Sequence, residues 1–265
     1  MTNLRIATWN INSLRLRLAL LERLRDSLAP DVICLQETKV PDEAFPELAA
    51  AALGYPYYVR RGMKSYNGVA IFSRIPLSLD ENSPNWCEKS DCRHVGVTID
   101  LPHPITLHNF YVPAGGDIPD PALNPKFAHK LAFLDQVTAH FAAVAPLRRT
   151  VLVGDLNIAP LEHDVWSHKA LLDVVSHTPI EVQKHLAWQN TNFIDAPRAL
   201  VPADQKLYSW WSYRNRDWRA SNRGRRLDHV WLTPDLVPVS VHTLDAARDW
   251  PQTSDHVPVC VEFQA

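Results

Sequence analysis

Several absences narrow the field before any motif is read. No apolar run in the 265 residues approaches the length of about 20 that a membrane-spanning helix needs, and Met1–Asn12 has no secretory-type apolar stretch. The expectation is a soluble, cytoplasmic protein without membrane contact. Cysteine is sparse: Cys34, Cys87, Cys92 and Cys260 are the only four, and two lie inside strand-like apolar runs, which points to buried thiols rather than a disulfide framework. Cys87, Cys92 and His94 lack the spacing and the fourth ligand of a structural zinc site. A strong excess of either charge is also missing. A net charge of −2 and a pI near 6.6 argue against indiscriminate coating of polyanions, while leaving room for a local basic groove. Nor is there an internal repeat, a low-complexity tract or a linker, so residues 1–265 are expected to form one domain.

What is present begins with enough apolar material, 46% of the chain, to bury a large core. The stretch Val151–Pro160 organises the rest. Val151, Leu152 and Val153 form a β-prone run into Gly154, and Asp155 and Asn157 stand two apart, so both point the same way from an extended backbone. Asp155 can ligate a cation or take a proton from water; the Asn157 amide can orient that water or donate to developing charge.

Similar polar clusters end other strands. Leu4–Trp9 reads as a strand ending at Asn10, Asn12 and Ser13, with Ser13 expected to cap a helix through Leu14, Leu18, Leu21, Leu24 and Leu28 until Pro30. Val32–Leu35 reads as a buried strand that delivers Glu37, the first candidate metal ligand. An alanine-rich helix is expected over Asp42–Leu53, closed by Gly54. Strands follow at Tyr55–Arg60, Val69–Ser73, Val95–Leu101 and Ile105–Val112, the last carrying Tyr111 near its end. Pro113–Pro125 is a loop and Phe127–Val144 an amphipathic helix, while Leu161–Leu200 reads as helical pieces and loops in which nothing demands chemistry.

Tyr208–Arg226 is unusual in composition. Tyr208, Trp210, Trp211, Tyr213 and Trp218 alternate with Arg214, Arg216, Arg219, Arg223, Arg225 and Arg226, a mixture suited to stacking on bases and holding phosphates. A packed aromatic cluster beside a solvated charged loop would have the same composition. Strands are expected again at Leu227–Leu232, Val237–Leu244 and after Ser254-Asp255-His256.

Asn10, Glu37, Asp155, Asn157, Asp228 and Asp255 thus all fall at strand ends or adjoining turns. Such all-oxygen sets suit Mg²⁺ or Mn²⁺, and His256, oriented by a carboxylate, can stabilise or protonate a phosphate oxygen.

Trp9-Asn10-Ile11-Asn12, Leu35-Gln36-Glu37-Thr38-Lys39, Phe110-Tyr111-Val112-Pro113, Gly154-Asp155-Leu156-Asn157, Arg226-Leu227-Asp228 and Ser254-Asp255-His256 occur in the order and spacing of one family. By these motifs the chain resembles the exonuclease III family of AP endonucleases, within the endonuclease/exonuclease/phosphatase superfamily. The resemblance implies an α/β fold, a four-layer DNase I-like sandwich of two packed mixed β-sheets flanked by helices, forming a single catalytic domain over residues 1–265. It implies a monomeric, Mg²⁺-dependent nuclease, with Mn²⁺ as possible substitute. The substrate would be double-stranded DNA, cut 5′ to abasic sites and trimmed at 3′ ends. Glu37 is similar to the principal metal ligand, and Asn10, Asp155, Asn157, Asp255 and His256 match positions lining or completing the metal and phosphate site. Asp155 would activate water, Asn157 position it, Tyr111 lie near the leaving oxygen, and Asp228 orient His256 on the scissile phosphate. Trp210 and Leu227 match positions lining an abasic-site pocket, and Arg214 and Arg225 would hold phosphates.

Ser13, Asn12 and Arg225 depart from the residues common in the family: glycine, aspartate in some members, and leucine or tryptophan respectively. Two other readings remain in view. One is a superfamily relative acting on inositol phosphates or phospholipids, where an Asn-Thr-His-like segment tends to replace Asn109-Phe110-Tyr111. The other is a catalytically dead nucleic-acid-binding module.

Overall fold

The computed structural model describes residues 3–265. Its strands are β1 (Asn3–Asn10), β2 (Val32–Gln36), β3 (Tyr57–Arg61), β4 (Val69–Ser73), β5 (Leu77–Leu79), β6 (His94–Ile99), β7 (Ile105–Tyr111), β8 (Thr150–Asp155), β9 (Ile194–Asp195), β10 (Trp210–Trp211), β11 (Gly224–Arg225), β12 (Asp228–Leu232), β13 (Val237–Thr243) and β14 (Val259–Gln264). The helices are α1 (Leu14–Arg17), α2 (Leu20–Leu28), α3 (Glu47–Ala52), α4 (Pro125–Val144), α5 (His168–Leu171), α6 (Pro179–Gln189), α7 (Ala196–Leu200) and α8 (Trp218–Ser221). One six-stranded sheet has the order β13-β14-β1-β2-β4-β3, the other β5-β6-β7-β8-β12-β9. Each is mixed, with a parallel pair at its centre, β1 with β2 and β7 with β8, and antiparallel neighbours outside.

The layering follows from residue alternation. In β2, Val32 and Cys34 enter the core between the sheets, whereas Ile33 and Leu35 join an outer core with Leu14, Leu21 and Leu24 of the α1–α2 segment and with Ala50 of α3. In β8, Val151 and Val153 face the intersheet core, while Leu152 packs outward with Phe133, Leu134 and Phe141 of α4 and Trp188 of α6. Strands apolar on both faces require cover on both faces, so two sheets and two helical layers result. No helix among the described residues is long and apolar enough to cross a membrane.

Under the site, the intersheet layer is polar and joined by hydrogen bonds. Asn109 of β7 donates through Nδ2 to the carbonyls of Leu35 and Ala70 in the opposite sheet, both at 3.0 Å. Its Oδ1 accepts from Gln36 Nε2 at 2.7 Å, and the same Gln36 nitrogen donates to Thr8 Oγ1 at 2.9 Å. A buried amide with its donors and acceptor engaged fixes one sheet against the other more specifically than apolar contact does.

The expected helix from Ser13 to Leu28 is broken into α1 and α2, and Ser13 does not cap it. Ser13 has φ 90 and makes no side-chain cap bond. The backbone N–H groups of Ser13 and Leu14 instead reach the carbonyls of Glu37 and Thr38 at 2.7 and 3.0 Å, so tertiary partners satisfy the helix start. The helix expected over Asp42–Leu53 is also shortened: Pro46 separates a 3₁₀ turn at Asp42–Ala44 from α3, and Gly54 follows with φ 85. The short edge strand β5 was not expected.

Asn109→Leu should cost about 3 kcal/mol in chemical denaturation, since it strands two buried carbonyls and frees Gln36 from its partner. A loss below about 0.5 kcal/mol, the range of ordinary surface changes, would remove Asn109 as the tie between sheets.

Candidate functional site

The alternation that builds the core also builds the site. Following the inward-facing positions to one end of the sandwich, Ile6 leads through Thr8 to Asn10, Leu107 through Asn109 to Tyr111, and Val153 to Asp155. β12 runs antiparallel to β8 and begins at the same level, with Asp228 opposite Asp155, so its inward positions run from Asp228 to Val230 and Leu232. Tyr111 lies opposite Asp155 on the other side. Several strands therefore exchange apolar for polar side chains at one height.

The side chains are tightly connected. Asn10 Nδ2 donates to Glu37 Oε1 and to Asp155 Oδ2, each at 2.8 Å, and Tyr111 Oη donates to Glu37 Oε1 at 2.9 Å. Asn157, held at φ 54, donates its backbone N–H to Asp155 Oδ1 at 3.0 Å, and its amide to Asp155 Oδ2 at 3.2 Å and the Val112 carbonyl at 2.9 Å. His256 Nδ1 is 2.8 Å from Asp228 Oδ2, and its Nε2 is 3.7 Å from Asp155 Oδ2. Asp255 accepts from Asn12 Nδ2 at 3.2 Å and from Trp210 Nε1 at 2.9 Å. Lys39 places its ammonium 2.9 Å from Glu37 Oε2 and 2.6 Å from Asn12 Oδ1.

Burial and neighbouring charge set the protonation states. Burial is the main reason the Asp155 carboxyl is pushed up to about 7; Asp228 and Glu37 add to it, against His256 and the Asn10 amide. For His256 burial acts downward, but Asp228 and Asp155 outweigh it and raise the imidazole to about 10. Burial would also raise Glu37, yet Lys39 and Asn10 hold it below its usual range. Burial, with Glu37 and Asp155, keeps the Tyr111 phenol well above its ordinary value, so it remains a hydrogen-bond donor.

Asp155, Asp228 and His256 bring a carboxylate oxygen or ring nitrogen each to within 4.8 Å of the others, and with His256 protonated the carboxylates are the donors there. Asn10 places Glu37 against the same cluster. Several carboxylate oxygens around a poorly solvated centre form a donor set that fits a hard divalent cation.

The structure brings Asn10, Glu37, Tyr111, Asp155, Asn157, Asp228 and His256 together, with Asp255 joined through Asn12 and Trp210. Leu227 and Trp210 pack in one small apolar cluster beside this group. Arg214 is exposed. Arg225, expected to hold phosphate, is half-buried: its guanidinium donates through Nη1 to the Val175 carbonyl at 3.0 Å and Ser176 Oγ at 2.8 Å, and lies 5.3 Å over the Trp210 ring. Much of the surrounding aromatic and arginine stretch is likewise packing. Tyr208, Trp211 and Trp218 form a core of their own, and Arg226 is buried between Asp164 and Asp195.

Other contributors escaped the sequence reading. Ser209 Oγ accepts from the backbone N–H of both Leu227 and Asp228 at 3.1 Å, which fixes the start of β12. Ser254 Oγ donates to the Asn10 carbonyl at 2.7 Å and accepts from His256 N at 3.2 Å, joining the two strand ends. Ser254 belongs to a motif and Ser209 does not, but neither serine carries a local signal that separates these roles from solvation. The segment 161–200, where no chemistry was expected, contains the buried Glu181 and Asp164.

The model of the "Endonuclease/Exonuclease/phosphatase family" matches residues 7–256. The chain is 29% identical to exodeoxyribonuclease III of Haemophilus influenzae, covering 98% of this chain and 100% of that protein. It superposes on an AP endonuclease from Archaeoglobus fulgidus with a TM-score of 0.90 at 29% identity, over 99% of this chain and 100% of the other. A 3′ phosphatase from Neisseria, bound to product DNA hairpin, gives a TM-score of 0.89 at 28% identity, over 99% and 100% of the respective chains.

The Asp228–His256 pair can be tested without turnover. Because the folded pKa of His256 is raised, its contribution to stability is complete below the ordinary histidine value near 6.5 and is lost as pH rises through about 10. Asp228→Asn should shift the titration of the His256 ring signals in NMR to lower pH. An unmoved titration would show that Asp228 does not hold the imidazolium.

Proposed function

Because the chain belongs to the endonuclease/exonuclease/phosphatase family, we propose that it is a Mg²⁺-dependent phosphodiester hydrolase of DNA repair. In this reading it incises duplex DNA 5′ to abasic sites and removes nucleotides or blocking groups from 3′ ends. The observation that carries the proposal is the convergence of Asp155 and Asn157 with Glu37 on one side and the Asp228–His256 pair on the other. The relatives named for exonuclease, AP endonuclease and 3′ phosphatase activity, one of them bound to DNA, support the substrate class.

Glu37, Asp155, Asp255 and His256, with the amides of Asn10 and Asn157, are the residues proposed to hold or complete the cation and phosphate site. A bound Mg²⁺, or Mn²⁺ in its place, supplies neutralisation of charge on the phosphate and leaving oxygens. Asp155, with a pKa near 7, is suited to accept the proton of the attacking water. Asn157, whose amide already contacts Asp155, positions that water. His256, kept protonated by Asp228, donates through Nε2 to a phosphate oxygen. Tyr111, a neutral phenol, donates toward the leaving oxygen. Trp210 and Leu227 form the small apolar surface against which an extruded abasic sugar would rest, and a nucleotide without a base is cheap to turn out of the stack. Arg214, exposed, remains the arginine proposed to meet DNA phosphate. The protein is proposed to act as a monomer.

The test is a duplex with one abasic analogue, incubated with and without Mg²⁺, beside a duplex with a plain 3′ end. A Mg²⁺-dependent product cut on the 5′ side is expected. Glu37→Gln should keep the fold and lower the rate about 100-fold or more, the scale on which single charge-stabilising groups act. Binding without cleavage by the wild type would leave a nucleic-acid-binding module instead. Trp210→Ala should slow incision at the abasic site more than removal of ordinary 3′ nucleotides; equal slowing of both would reduce Trp210 to packing.

A further inference from the structure

Lys130 is fully buried on α4, and its ammonium has three acceptors for three protons. Nζ lies 2.5 Å from Glu181 Oε1, 2.8 Å from the Asn157 carbonyl and 3.3 Å from the Ala114 carbonyl. Asn157 belongs to the loop after β8, and Ala114 to the loop after β7. One cation thus binds the two loops that leave the site-bearing strands.

Its counterion is placed by separate means. Glu181 closes the capping box of α6 with Thr178: its carboxylate accepts from Thr178 Oγ1 at 2.6 Å and from the Ser176 N–H at 3.0 and 2.9 Å. Those donors fix the carboxylate without the lysine. The Ser176 carbonyl in turn accepts from Ala159 N at 2.8 Å, so the same segment returns to the Asn157 loop. The stem of Lys130 is closely enclosed: a Cβ at Gly115, which has φ +91, would stand 2.9 Å from Lys130 Cδ.

Burying an ammonium solely to pair with a carboxylate is poor economy for stability, since apolar side chains of equal volume often do as well. What an apolar residue cannot do is hold a loop carbonyl. The Asn157 backbone is left-handed, its N–H and amide are on Asp155, and its carbonyl is on Lys130. With these groups fixed, the amide has one direction.

We propose that Lys130, supported by Glu181, is a positioning residue for the nuclease site: its ammonium holds the Asn157 carbonyl and thereby sets the Asn157 amide against Asp155. This rests on the functional reading above. Lys130 touches neither substrate nor the reacting atoms, so its loss should act on turnover and leave substrate binding in place.

Lys130→Met combined with Glu181→Gln removes both charges and strands neither, so the fold should persist. The expected result is a fall in kcat on the order of 10-fold or more, as small misplacements of catalytic groups produce, with KM within about twofold of wild type. In an Asn157→Ala background the same pair of changes should cost little further, because both act through one group. A pair variant with wild-type kcat, or full additivity with Asn157→Ala, overturns the proposal. If that variant does not fold at the assay temperature, Lys130→Arg carries the test. It keeps the charge pair, but its planar fork cannot place three donors as the ammonium does. A fall in kcat at unchanged KM supports the proposal, and wild-type kcat overturns it. Wild-type protein inactive on both abasic and 3′-end substrates would instead overturn the functional reading itself.

Discussion

The Asp155 carboxylate is held out of water where two sheets meet, and much of the surrounding structure serves to make that tolerable. Isolated in an apolar interior, such a group would simply take up a proton. Here two amides, a backbone N–H and an imidazolium close upon it, and its pKa settles near neutrality instead of far above it. The compensating groups come from β1, from the loop after β8 and from the turn before β14. None can be moved without leaving the carboxylate exposed to its own desolvation.

This dependence explains why the intersheet tie lies directly beneath the site. The groups around Asp155 belong to different sheets, so their separation is set by the separation of the sheets. Apolar packing alone permits small sliding between layers. Asn109, bonded to the carbonyls of Leu35 and Ala70, does not.

How much of this was readable in sequence depended on whether the relevant contact was local. Val151, Val153 and Asp155 alternate within six residues of strand, so the carboxylate at the end of a buried run was legible, as were β4, β7 and α4 to within a few residues. The break between α1 and α2 was not, because the partners of Ser13 and Leu14 lie on the Glu37–Thr38 segment. Arg225 and Arg226 looked alike in a basic stretch, yet one turns to Ser176 and the other to Asp164 and Asp195, distant carboxylates and carbonyls that composition cannot locate. Lys130 was not singled out in the sequence, although it lies three residues after Phe127 and four before Leu134, on the face of α4 that the structure shows buried.

The pairing of β1 with β14 joins residues near opposite ends of the chain, and His256 arrives only in the turn before β14. Trp9 of β1 also donates through Nε1 to the His256 carbonyl at 3.0 Å, so the imidazole that completes the Asp155 cluster is carried by the same strand pairing that closes the sheet, and loosening β1 from β14 would reach the site as well as the core.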